Sequence, residues 1–166
     1  VSEMDEYMIE KWNEAVTRDD NVYILGDFVD HNAYTLGDIA ILLHDLNGRK
    51  HLICGNHDKY DVYDNVFWIM DYRLYEMPIL YDNFFLLSHE PLLSLDLTPY
   101  ANIYGHVHTD GKYITTPRSI CVSAELRDYK PERIEYLKTM MQLTCRLHDA
   151  FRPECLTKER NNTDDT

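Results

Sequence analysis

The chain reads as a layered α/β protein, with helices outside a mixed sheet or outside two sheets packed face to face. Two observations carry this. Helical and strand-like stretches alternate early in the chain, whereas strand follows strand in its second half. Four short apolar runs also end in carboxylate, amide or imidazole side chains, at the strand ends where open α/β sheets gather ligands.

Met4, Met8, Ile9, Trp12 and Val16 recur at helical spacing with acidic residues between them, which predicts an amphipathic opening helix. Val22–Leu25 is a short apolar run ending at Gly26-Asp27, the pattern of a buried strand. Leu36, Ile39, Ala40, Leu42, Leu43 and Leu46 return to the helical period, and Asn47-Gly48 closes that helix. His51–Cys54 is the next strand, ending at Gly55. Val66–Met70, Leu74–Leu80 and Phe84–Leu87 then read as consecutive strands, with Asp82-Asn83 a tight turn between the last two. Ile103-Tyr104 and Ile120–Ser123 follow as shorter strands. From Pro131 onward, Ile134, Leu137, Met141, Thr144, Leu147 and Phe151 mark a late helix with proline at its start. Residues 1–156 form one domain in this reading, and the polar residues 157–166 a frayed tail.

Composition sets outer limits. At 166 residues the chain fits one domain long enough to bury a core. Its 45% hydrophobic content and thirteen tyrosines fit a globular protein, not a disordered one. A net charge of −13 argues against a basic groove, so no stable nucleic-acid binding is expected. A phosphate substrate stays open, because bound cations reverse the local field at a site. Cys54, Cys121, Cys145 and Cys155 show no paired spacing and follow no secretory segment, so a cytoplasmic protein is expected. No apolar run approaches the ~20 residues that span a bilayer, so no membrane partner is expected. Val1-Ser2-Glu3-Met4 leads straight into a helical pattern, as though a segment preceded it.

The chemistry sits where the apolar runs stop. They lead into Gly26-Asp27, into Gly55-Asn56-His57-Asp58, into Ser88-His89-Glu90-Pro91 and into Gly105-His106-Val107-His108. Glycine precedes three of the clusters, as expected where backbone turns sharply or approaches an ion closely. Oxygen and imidazole donors without thiolate suit Mn²⁺, Fe, Zn²⁺, Ni²⁺ or Co²⁺. Each piece alone is weak: a lone Gly-Asp is usually a turn, and two histidines two apart are usually surface groups. Gly-Asn-His-Asp is the sharpest, and the four together point to a metal site.

These residues resemble the calcineurin-like metallophosphoesterase superfamily, whose motifs run Asp-x-His, Gly-Asp, Gly-Asn-His-Asp or Glu, a lone His, and Gly-His-x-His. The last four stand here at Gly26-Asp27, at Gly55–Asp58, at His89 and at Gly105–His108. Trp12–Glu14, Ile24–Phe28 and Val122–Pro131 look like a branch of small bacterial and phage phosphoesterases. The resemblance implies an αββα sandwich of two mixed sheets flanked by helices, and two divalent metal ions, manganese first among the candidates. Asp27 would bridge them; Asn56, His89 and His106 would complete one site, and His108 would belong to the other. His57 would face the scissile ester as general acid, with Asp58 holding its ring. The implied reaction is attack of a metal-bridging hydroxide on phosphorus. The opening Asp-x-His is absent, so the first strand and two ligands of the first metal are expected to be missing and that site poorly formed.

Asp30 and His31 read equally as ligand-orienting groups or as solvated loop residues, and Glu90 as a further neighbour of the ligands. Arg118 and Arg127 match phosphate geometry, but a surface ion pair is the plainer expectation for each. The leading functional reading is a metal-dependent phosphodiesterase or phosphomonoesterase acting on a small phosphate ester at an open site. The alternatives are a binding or scaffold protein that has lost turnover, and a nuclease, against which the acidic balance counts.

Overall fold

The computed structural model of the chain describes residues 3–67, 72–92, 98–108, 116 and 118–150. Helix α1 (Glu3–Ala15) leads into strand β1 (Asn21–Leu25), helix α2 (Leu36–Asp45) into β2 (Arg49–Ile53), and helix α3 (Tyr60–Phe67) into β3 (Arg73–Tyr75). Strands β4 (Ile79–Tyr81), β5 (Phe85–Ser88), β6 (Ala101–Tyr104) and β7 (Ser119–Cys121) follow, then a 3-10 turn (Ala124–Arg127) and helix α4 (Ile134–Ala150). Two sheets result, in the orders β1-β2-β3 and β4-β5-β6-β7. The first is parallel at both its pairings. In the second, β4 runs antiparallel to β5 and the remaining pairs are parallel.

Strand alternation sorts the core into two layers. Ile24, Leu52 and Leu74 lie side by side and join Ile39 and Leu43 of α2 and Tyr63 and Val66 of α3 in one cluster. Their neighbours Leu25, Ile53 and Tyr75 turn the other way. There Ile53 meets Phe85, Leu87, Ala101, Ile103 and Ile120 of the second sheet, and Leu137 and Met141 of α4 close the same cluster. Two sheets thus pack face to face between helices, the arrangement expected from the sequence. Among the described residues no helix is long and apolar enough to cross a membrane.

The local signals behave as their chemistry dictates. Thr35 caps α2 through a capping box with Asp38, each side chain accepting from the other's backbone N–H. Asp82 and Asn83 both take left-handed φ, and Phe84 N–H closes the turn on Tyr81. Two strand assignments need correction. Val66 and Phe67 end α3 and are not strand, while 68–70 lie outside the described residues. Tyr63 and Val66 are both buried at helical spacing, and a short apolar run does not distinguish buried helix from strand. Leu74–Leu80 is two strands: the chain bends at Glu76-Met77, ahead of Pro78, and passes from the first sheet to the second. The tail 157–166 lies outside the described residues.

One buried polar side chain ties the second sheet to the loop that leaves it. Asn102 is fully buried; its amide donates to the Leu86 carbonyl and to Ser88 Oγ, and its Oδ1 accepts from Leu92 N–H. Ser88 Oγ in turn donates to the Glu90 carbonyl, so the loop around His89 is held at both ends. Asn102→Ala leaves the half-buried Leu92 N–H and Leu86 carbonyl without this partner, a loss of about 1–3 kcal/mol for each group. Urea unfolding of that variant should show a loss of roughly 3 kcal/mol with an unchanged m-value.

Candidate metal centre

Strands β1, β2, β5 and β6 deliver their terminal loops to one edge of the sandwich, and the loops pack closer than side chains with Cβ atoms allow. Gly26 has φ +80°, and a Cβ there would lie 2.3 Å from His89 Nδ1 and 2.7 Å from the Gly55 Cα. At Gly55 a Cβ would lie 2.3 Å from Asp27 Oδ1 and 2.9 Å from His89 Cε1. These glycines are there because an imidazole and a carboxylate occupy the space.

His89 forms the floor, buried to 5% exposure. Its Nδ1 lies 2.8 Å from the Leu25 carbonyl, which only accepts, so Nδ1 carries the proton and Nε2 presents a lone pair. Around that Nε2 stand Asn56 Oδ1 at 2.9 Å, His106 Nδ1 at 3.0 Å and Asp27 Oδ2 at 3.3 Å. Asp27, His89 and His106 each offer a ligand atom within 4.8 Å of the others. Converging lone pairs repel unless a proton or a cation is shared among them. Adjacent ligands on an octahedral ion with bonds of about 2.1 Å stand about 3 Å apart, so the donor set fits a divalent cation. Asp27 and His106 also hold left-handed backbone, at φ +52° and +63°. For a residue with a Cβ that conformation costs roughly 1–2 kcal/mol, the kind of strain that collects at ligand loops.

The sequence model of the calcineurin-like phosphoesterases matches residues 5–163. The chain belongs to the calcineurin-like phosphoesterase family. An uncharacterized protein of Methanocaldococcus jannaschii is 32% identical over 148 residues, covering 86% of this chain and 77% of that one. The gene 66 protein of Mycobacterium phage L5 is 43% identical over 60 residues, 35% of this chain and 28% of the phage protein. In fold, the chain is similar to the crystal structure of a protein of unknown function from Aquifex aeolicus, with a TM-score of 0.59 at 22% identity. That match covers 84% of this chain and 86% of the other. Family membership implies metal-dependent phosphoester hydrolysis.

Four of the five expected ligands, Asp27, Asn56, His89 and His106, meet at one point. The fifth, His108, expected at the other metal, stands apart: it is 73% exposed, and its Nδ1 pairs with Glu125 Oε1 at 3.1 Å. The His57 backbone N–H donates to Asp27 Oδ1 at 3.0 Å, and the residue is exposed. Asp58 departs from the role the resemblance assigns it. Its Oδ2 accepts from the Asp27 N–H at 2.7 Å and the Gly55 N–H at 2.8 Å. Its Oδ1 accepts from the Phe28 N–H at 3.2 Å and the Tyr63 hydroxyl at 2.9 Å. Neither oxygen is given to the His57 ring in these four bonds; Asp58 binds the backbone that carries the ligands. Burial, with the Asp58 carboxylate beside it, pushes the Tyr63 hydroxyl well above the usual tyrosine range, so it remains a donor.

The smaller signals resolve as supports. His31 Nε2 accepts from the Lys59 N–H, and its ring meets Tyr63 edge-on, bracing the first ligand loop against the second. Asp30 caps its own loop at Asn32. Arg118 and Arg127 donate to the carbonyls of Thr98 and Cys121, and neither forms an ion pair among the described residues. Burial, reinforced by Asp58 and Glu76, pushes the Cys54 thiol up to about 11, so it is no thiolate ligand at neutral pH. Tyr63 was invisible to motif reading; its only signal was an aromatic four residues ahead of Phe67, at helical spacing.

The close packing of the loops is directly testable. Gly55→Ala drives a methyl into Asp27 and His89, so calorimetric titration with Mn²⁺ should show binding at least about tenfold weaker. Gly37→Ala, where the nearest atom is Thr35 Oγ1 at 3.7 Å, should leave the affinity unchanged.

Proposed function

We propose that this chain hydrolyses small phosphate esters, a diester or an exposed monoester, at the edge of the sandwich where Asp27, Asn56, His89 and His106 converge. The observation that carries the reading is the meeting of lone pairs around His89 Nε2, which calls for a cation. Nitrogen and oxygen donors suit manganese, iron, zinc, nickel or cobalt, with manganese first. Divalent ions there supply Lewis acidity toward a phosphoryl group and lower the pKa of water. Asp27, through its two oxygens, and the exposed His108 are the residues of this chain available to a second ion.

His57 is assigned the proton. Its backbone is fixed to Asp27 and the residue is exposed, so its imidazole can protonate a leaving oxygen as that oxygen departs toward solvent. Asn56 and His106 are exposed as well, which supports an open site over an enclosed nucleotide pocket. Cys54 and Cys121 are free thiols, which supports a reducing, cytoplasmic setting.

The test is turnover of an aryl phosphodiester and an aryl phosphomonoester by metal-stripped protein resupplied with Mn²⁺, Ni²⁺, Co²⁺, Zn²⁺ or Mg²⁺. Asp27→Asn should abolish both binding of Mn²⁺ and turnover. His57→Ala should keep bound metal but lower kcat by about 10²–10⁴-fold, the usual contribution of a general acid. Protein that binds Mn²⁺ through Asp27 and turns over neither ester with any ion would overturn the enzyme reading in favour of a binding protein.

A further inference from the structure

Asp27 is the anionic donor of the cluster among the described residues, and it holds a left-handed backbone at φ +52° in the loop after β1. The turn that carries it is read from outside, amide by amide. Asp27 N–H ends on Asp58 Oδ2 and Phe28 N–H on Asp58 Oδ1. The backbone of Val29 bonds to the Tyr63 hydroxyl. The same hydroxyl donates to Asp58 Oδ1 at 2.9 Å, and the second oxygen of Asp58 also holds the Gly55 N–H. Tyr63 has 0% exposure, on the face of α3 that packs against α2 and the first sheet.

We propose that Tyr63 is a positioning residue of the metal centre, acting through Asp58 to hold the Asp27–Val29 turn in its ligand-presenting conformation. The proposal rests on the metal-site reading above. A carboxylate held by backbone amides alone can rotate about its Cβ–Cγ bond and trade partners; a buried phenol on Oδ1 fixes that rotation. Groups that orient ligands without touching the ion typically contribute 10–100-fold in metal affinity. Tyr63→Phe keeps the ring and removes the hydroxyl.

Mn²⁺ titration calorimetry is run on wild type, Tyr63→Phe, Asp58→Asn and the double variant, at 10 °C, on samples whose circular dichroism matches wild type. Tyr63→Phe should bind Mn²⁺ about tenfold more weakly. Asp58→Asn should bind more weakly still, and adding Tyr63→Phe to it should change affinity by less than about twofold, since both act on one path. A Tyr63→Phe variant that melts earlier yet binds Mn²⁺ with wild-type affinity would show a merely structural hydroxyl and overturn the inference. Losses that simply multiply in the double variant would overturn it too, as would wild-type affinity in Asp58→Asn, even if Tyr63→Phe proved too unstable to titrate. Wild-type protein that binds no Mn²⁺ in an Asp27-dependent way would instead overturn the metal-site reading itself.

Discussion

The site depends on one carboxylate that touches no ligand atom. Asp58 receives four hydrogen bonds, two on each oxygen, from the backbone of Asp27, Phe28 and Gly55 and from Tyr63. An ionised carboxylate offers about four acceptor positions, and all are used. Because its donors come from two loops and a helix, Asp58 converts three separate elements into one rigid piece. Charge-assisted bonds of this kind are roughly twice as strong as neutral ones, enough to offset the backbone conformation imposed on Asp27. A turn that would relax in isolation is kept strained by its neighbour.

The sheets make this possible by setting the distances. Parallel neighbours such as β1 and β2 run about 4.8 Å apart, so the loops leaving them begin almost in contact. With Gly26 and Gly55 in the first two positions of these loops, the backbones stay that close and the His89 ring fits against them from the second sheet. The ring is then fixed from behind by the Leu25 carbonyl, at the last residue of β1. One strand end therefore dictates the tautomer of a histidine some sixty residues further on, and with it which nitrogen faces the ligands.

What could be read from the sequence and what could not divide along the same physical line. The layered fold and the meeting of the candidate ligands Asp27, Asn56, His89 and His106 were legible because strand ends are marked by a break from apolar to polar residues, and that break is local. Helix α3 was hidden: Tyr60–Phe67 is rich in aromatic and β-branched residues that suit a strand equally well, and only packing against α2 settles the choice. The division of Leu74–Leu80 between two sheets was hidden for the same reason, since a bend reveals nothing about which sheet follows. The roles of Asp58 and Asn102 rest on contacts between separated segments, and the Tyr63 hydroxyl bond to Asp58 depends on which way the helix turns, so no motif spacing records them. Asp58 shows the hazard: its place in the motif suggested the neighbouring imidazole, whereas two of its four bonds run to backbone about thirty residues away and the other two to Gly55 and Tyr63.

The electrostatics of the edge order the events there. A phosphate ester is anionic and the chain carries −13. The guanidiniums nearest in sequence to the last ligand loop, Arg118 and Arg127, are committed to backbone carbonyls. Among the described groups at the cluster, the charged ones are carboxylates, and His89 is held as a lone-pair donor. Cations held by these side chains, on the proposed reading, supply attraction for an anionic substrate. On the proposed reading, metal loading precedes substrate binding, and the apparent affinity for substrate rises with metal occupancy. A net charge of −13 favours cations over anions near the chain as a whole, and a cation held at the converging donors would reverse that field locally.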